Sequence, residues 1–161
     1  MHTRDSFRQA ISLASTCESS LSSETLAMEG MSSSRVRHLI NNLCSLSGSI
    51  YSEVGCWKGS TLCSALDGTD ALCLGIDNWS QFGGPKGECL SACSRFASNR
   101  WSIDDGDCFQ SRIANETTVF FYDGAHDYVS QYRALSRFSP NFAETCVVII
   151  DDWNESSVKS A

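Results

Sequence analysis

The chain has 161 residues, 42% hydrophobic and 19% charged, with a formal net charge of −7. That is the composition of one globular domain with room for a core. The negative balance argues against a nucleic-acid backbone as partner and supplies no polybasic membrane patch. No apolar run approaches a membrane span, and residues 1–8 carry no signal-peptide pattern, so a cytoplasmic protein is expected.

Residues 1–30 are Ser-rich, with Phe7, Ala10, Ile11, Leu13 and Ala14 suggesting a first helix and Ser19 to Ser23 a break. Over 33–47, Val36, Leu39, Ile40, Leu43 and Leu46 form one apolar stripe behind cap candidates Ser32 to Ser34, and Gly48 stops the helix. From Ile50 the pattern alternates. A strand at 50–54 precedes a turn bounded by Gly55 and Gly59, and a helix over 60–66 opens at Ser60-Thr61. Glycine permits a tight turn and close approach of a ligand, and a helix N-terminus offers free N–H groups. The spacing is G-x-x-x-G, not the dinucleotide G-x-G-x-x-G.

A second strand at 71–76 ends at Asp77, a loop spans 78–84, and Pro85 suits the first turn of a helix carrying Cys89, Leu90, Cys93 and Phe96. A weaker strand at 101–103 runs into Asp104-Asp105-Gly106-Asp107, followed by an expected short helix over 108–114. A strand at 118–122 ends at Asp123. The next helix carries Val129, Tyr132, Leu135 and Phe138, and a last strand at 146–150 ends at Asp151-Asp152. Continuous apolar strands alternating with helices predict a doubly wound α/β fold: a parallel sheet covered on both faces. The expected division is a single domain over 1–161, with N-terminal helices over 1–48 and an α/β core over 49–155.

The nine cysteines, at 17, 44, 56, 63, 73, 89, 93, 108 and 146, form no C-x-x-C pair. Buried free thiols are the expected state, since a zinc site from Cys89 and Cys93 lacks two further ligands.

In such a sheet, ligands bind beyond the carboxyl ends of the strands. Here every strand ends in an acid: Glu53, Asp77, Asp107, Asp123 and Asp151/Asp152. Asp77 stands where a carboxylate grips a ribose diol, or else caps a helix or turn. Asp107 can accept from an adenine amino group or serve a plain turn. Asp123, Asp151 and Asp152 are hard oxygen ligands suited to Mg²⁺, or else caps. His126 is either a general base or a structural histidine.

The segments Ser52–Thr61, Gly75-Ile76-Asp77-Asn78-Trp79, Tyr122-Asp123-Gly124-Ala125-His126-Asp127-Tyr128 and Ile150-Asp151-Asp152-Trp153 resemble class I S-adenosylmethionine-dependent methyltransferases. The likeness covers about residues 35–155 and is greatest to the macrocin-type, metal-assisted O-methyltransferases. It implies a Rossmann-like methyltransferase sheet of order 3-2-1-4-5. It also implies that Glu53, Gly55, Cys56, Gly59, Ser60 and Thr61 surround the methionine part of the cofactor. Asp77 would hold the ribose, with Asn78 and Trp79 beside it and Asp107 and Cys108 at the adenine edge. Asp123, Asp151 and Asp152 would bind Mg²⁺, Asp123 would also contact the cofactor, and Asp123 and His126 would serve catalysis on a small-molecule hydroxyl.

The two further strands of the full fold have no counterpart in the sequence. A non-catalytic or partner-completed cofactor-binding fragment, including a homo-oligomer, is therefore one alternative. A nicotinamide-dependent oxidoreductase is another, and the absent G-x-G-x-x-G counts against it.

Overall fold

The computed structural model describes residues 3–154 and 156–160; the expected core boundary at 155 lies outside them. Three helices come first: α1 (Arg4–Ser15), α2 (Ser23–Leu26) and α3 (Ser34–Cys44). The alternating part follows as β1 (Ile50–Val54), α4 (Ser60–Leu66), β2 (Leu72–Asp77), α5 (Lys86–Cys93), β3 (Trp101–Asp105), β4 (Thr117–Tyr122), α6 (Tyr128–Phe138) and β5 (Phe142–Ile150), then a short α7 (Ser156–Lys159). The five strands form one sheet, β3-β2-β1-β4-β5, and every pairing is parallel. This is the predicted order.

Local chemistry sets the helix starts. Thr3 and Ser6 form a reciprocal capping box on α1, and the Ser33 hydroxyl accepts from the Val36 N–H at the head of α3. The apolar stripe of α3 delivers Ile40, Leu43 and Cys44 to a cluster shared with Phe7 of α1, Leu62 and Leu66 of α4, and Tyr51, Cys73, Val119 and Phe121 of the sheet. The opposite sheet face packs Val54, Ile76, Phe120 and Tyr122 against Ala134 and Phe138 of α6. All six residues of β4 are buried, as a central strand covered on both faces requires.

One polar side chain ties the helical layer together. Asn41 is fully buried; its amide donates to the Ser64 and Asp67 carbonyls, and its oxygen accepts from the Ser20 N–H and hydroxyl. Both ends of the amide are satisfied, so burial costs little.

Three expectations are corrected. The helix over 108–114 is a single turn: the Asp107 carbonyl accepts from Gln110 and Ser111, and the chain then runs irregularly to β4. Ile113 is drawn into the second cluster instead of continuing a helix. The last strand starts at Phe142 rather than Cys146, because the Phe142 ring packs 5.2 Å from Phe120 and pairs with Thr117 across a register shift. In α6 the buried face is Gln131, Ala134 and Phe138, while Val129 and Tyr132 face outward. The Asp127 carboxylate caps Ser130 and fixes that helical phase. All nine cysteines are free; Cys56 is buried, and Cys146 only half so. Among the described residues no helix is long and apolar enough to cross a membrane.

Asn41→Ala leaves the buried Ser64 carbonyl and the part-buried Asp67 carbonyl without the donors they now have, and should cost about 2–3 kcal/mol, read from the urea midpoint. A loss within error of zero would contradict its role as the tie between α3 and α4.

Candidate functional site

The turn after β1 is shaped by backbone contacts. The Gly55 N–H donates to Ile76 O at 2.9 Å, and its φ of +90° places the missing side chain against the Asp123 carbonyl. At Gly59 (φ +82°) a Cβ would lie 2.9 Å from the Cys89 Sγ. Both glycines are therefore required by close packing within the protein itself. Ser60 and Thr61 open α4 behind the turn and are buried.

Asp77 reaches across from the end of β2. Its Oδ2 accepts from the Cys56 N–H at 2.8 Å and the Trp57 N–H at 2.9 Å, and its Oδ1 accepts from the Trp79 N–H at 2.7 Å. These bonds fix both the turn and the start of the 78–84 loop. A carboxylate has about four acceptor positions, so little is left for a ribose hydroxyl without rearrangement. The loop folds back: the Trp57 indole donates to Phe82 O at 3.1 Å, and Asn78 Oδ1 accepts from the Ser80 N–H and hydroxyl. Trp79 packs against the first cluster, with its indole N–H buried and unpartnered among the described residues. Lys58 bridges Glu29 at 2.8 Å and Glu88 at 3.0 Å, linking the turn to α5 and the N-terminal segment.

Behind the turn, Glu53 is fully buried. Its Oε2 accepts from the Tyr51 hydroxyl at 2.5 Å, while Oε1 has no hydrogen-bond partner among the described residues. Burial raises its pKa to about 7. The Tyr51 hydroxyl, with Thr61 and Cys56 beside it, opposes the rise; Asp77 adds to it. Tyr51 was not singled out in the sequence, although residues two apart on a strand share a face.

At the β3 edge, the Asp107 carboxylate accepts from the Phe109 N–H at 2.9 Å, serving the turn. Cys108 is half-buried, and burial raises its thiol pKa. Asp105 pairs with Lys86.

The remaining acids meet at the ends of β4 and β5. The Asp123 N–H donates to Val54 O and the Asp151 N–H to Tyr122 O, which sets the two residues side by side. Burial, followed by the charge of Asp151, pushes the Asp123 pKa up to about 8. His126 lies between two carboxylates, with Nε2 3.5 Å from Asp123 and Nδ1 3.3 Å from Asp152. The second contact is in ion-pair range but lacks hydrogen-bond geometry, leaving Nδ1 unpartnered. Among the described residues no group of three or more His, Cys, Asp or Glu side chains is arranged to hold a metal ion. Asp123, Asp151 and Asp152 thus have the donor chemistry for Mg²⁺ but not the gathered geometry, and as they stand they do not fit it.

No family model matches the sequence, and no curated protein matches it. Solved structures do match. The apo TDP-rhamnose 3'-O-methyltransferase of calicheamicin biosynthesis aligns with 99% of this chain and 83% of its own, at TM-score 0.59 and 15% identity. A methyltransferase from Podospora anserina, bound to SAH, aligns with 92% of this chain and 62% of its own, at TM-score 0.58 and 14% identity. The pyocyanin biosynthetic protein PhzM aligns with 69% of this chain and 34% of its own, at TM-score 0.52 and 18% identity. This chain therefore spans only about a third of PhzM. At these identities the likeness establishes the fold: an α/β, Rossmann-like sheet of methyltransferase type.

Two outcomes follow. Gly55→Ala should disrupt the turn, because the new methyl meets the Asp123 carbonyl; a loss of at least about 2 kcal/mol is expected in denaturant titration. Glu53 has a folded pKa of about 7 against an ordinary 4.5. The folded state thus holds the proton more tightly, and this contribution is full below pH 4.5 and lost as pH rises through about 7. Glu53→Gln should flatten that decline in thermal midpoint across the same window, and an unchanged pH slope would rule the assignment out.

Proposed function

We propose that the chain binds S-adenosylmethionine at the carboxyl edge of its sheet and transfers the methyl group to a hydroxyl of a small molecule. One observation carries this reading: Asp77 holds the Gly55–Gly59 turn at the end of β1, beside buried Glu53, in a sheet of methyltransferase order. The orphaned Glu53 Oε1 fits a cationic amino group arriving from the ligand.

When bound, S-adenosylmethionine supplies an electrophilic methyl on a sulfonium. The turn from Gly55 to Thr61, with Cys56, would bind the methionine part. Asp77 would reach the ribose with its remaining acceptor capacity, flanked by Asn78 and Trp79, and Asp107 with Cys108 would edge the adenine. His126, set between Asp123 and Asp152, would take the hydroxyl proton on its imidazole ring. Positioning of the oxygen in line with the methyl supplies much of the remaining rate.

The macrocin-type assignment, the choice of oxygen as acceptor and magnesium assistance rest on the sequence motifs. The cytoplasmic setting and the exclusion of nucleic-acid partners rest on composition, and the extent of the domain on the motif span.

Calorimetric titration with S-adenosylmethionine should give saturable binding that weakens about tenfold or more in Asp77→Asn. With radiolabelled methyl donor and a panel of sugars and phenols, His126→Ala should lower turnover about 10²-fold or more without abolishing cofactor binding. Adding Mg²⁺ or a chelator decides the metal question. A folded protein that binds no cofactor would sink the proposal.

A further inference from the structure

The irregular β3–β4 connection has a consequence at the other end of the sheet. Without a helix over 108–114, the second sheet face stays open above the starts of β1 and β2. A groove of about 450 Å³ results, within the range of small-molecule sites. Its walls include Ile50, Leu72, Leu74 and Ile113, and Leu72 is 52% exposed, although it begins a strand in the middle of the sheet. A second hollow of about 280 Å³, lined by Arg137, Phe138 and Asn141, adjoins the groove, and Arg112 lines both.

The charge there runs against the rest of the molecule. Among the described residues no Asp or Glu lines either hollow, in a chain of net charge −7. Arg112 is exposed and makes no hydrogen bond or ion pair among the described residues. Arg137 donates only to the Ser111 carbonyl, at 2.7 Å, and lies against the Phe138 ring. Arg100, on the groove wall, is bonded to the carbonyls of Thr69 and Leu66. Elsewhere Arg8, Lys58, Lys86 and Arg95 each face a carboxylate, while Arg37 is bonded to Ser32 and two carbonyls and Arg133 lies over the Phe109 ring. Two guanidinium forks without a carboxylate partner among the described residues, one of them tethered, thus line one hollow beside an apolar trough, and guanidinium forks suit carboxylate and phosphate heads.

We propose that the groove and its neighbouring hollow bind a small amphipathic anion. Its apolar body lies along Leu72, Leu74 and Ile113, and its carboxylate or phosphate head sits between Arg112 and Arg137. The site is at the amino ends of the strands, opposite the Asp77 turn, and does not depend on the methyltransferase reading.

Octanoate and octyl phosphate serve as probes on the full chain, with octanol and inorganic phosphate as controls, read by calorimetry and by methyl NMR of Leu72, Leu74 and Ile113. At least one of the amphipathic anions should bind saturably and shift those methyls, about tenfold or more tighter than either control. Which one binds identifies the head group. Arg112→Gln, at an exposed side chain without partners, should keep the circular dichroism spectrum and weaken binding about tenfold. Octanol binding equally well, unchanged affinity in Arg112→Gln, shifts confined to the Cys56–Trp57 end, or no saturable binding would each overturn the proposal.

Discussion

The Asp77 carboxylate joins two pieces of chain by accepting from three N–H groups that have no regular partner. The N–H groups of Cys56 and Trp57 lie in a turn, outside strand and helix, and the Trp79 N–H begins a loop. Unpaired donors beside a packed sheet are costly, and one anion satisfies all three. The turn can then be tight enough for Gly55 to touch the Asp123 carbonyl. That contact joins the end of β1 to the end of β4 and, through Asp123, to the acids after β5. The candidate site is thus one connected edge.

The same edge concentrates negative charge in a poorly solvated place. Glu53 and Asp123 are both driven toward the protonated state, chiefly by burial, with neighbouring acids adding to it. Such groups are poised to change ionisation when a cationic ligand arrives. A sulfonium with an amino group is a ligand of that kind.

Much of the frame was legible because its signals are local. The apolar runs of β2, β4 and β5, the α3 stripe and the acid after each strand follow from period and punctuation. The acids fall at the sheet edge as expected, with Asp107 two residues past β3. The sequence left open which of two uses the lone pairs of those acids take, a ligand or the chain's own turns. Asp77 serves the backbone and Asp107 a turn, and the neighbouring Asn78 amide closes an Asx-type turn, all tertiary or loop outcomes. Tyr51 beneath Glu53 was open to the alternation argument. The 108–114 segment read as helix because its composition permits one. Ile113 gains more by burial in the second cluster, and that depends on α6 being in place.

Amide hydrogen exchange at Cys56 and Trp57, with and without S-adenosylhomocysteine, tests the central claim most directly. The account predicts slow exchange at both amides in the free protein, lost when Asp77 is changed to Ala, and ligand-induced changes confined to 53–61, 77–79 and 107–108. Fast exchange at both in the unliganded wild type, or ligand effects elsewhere, would contradict it.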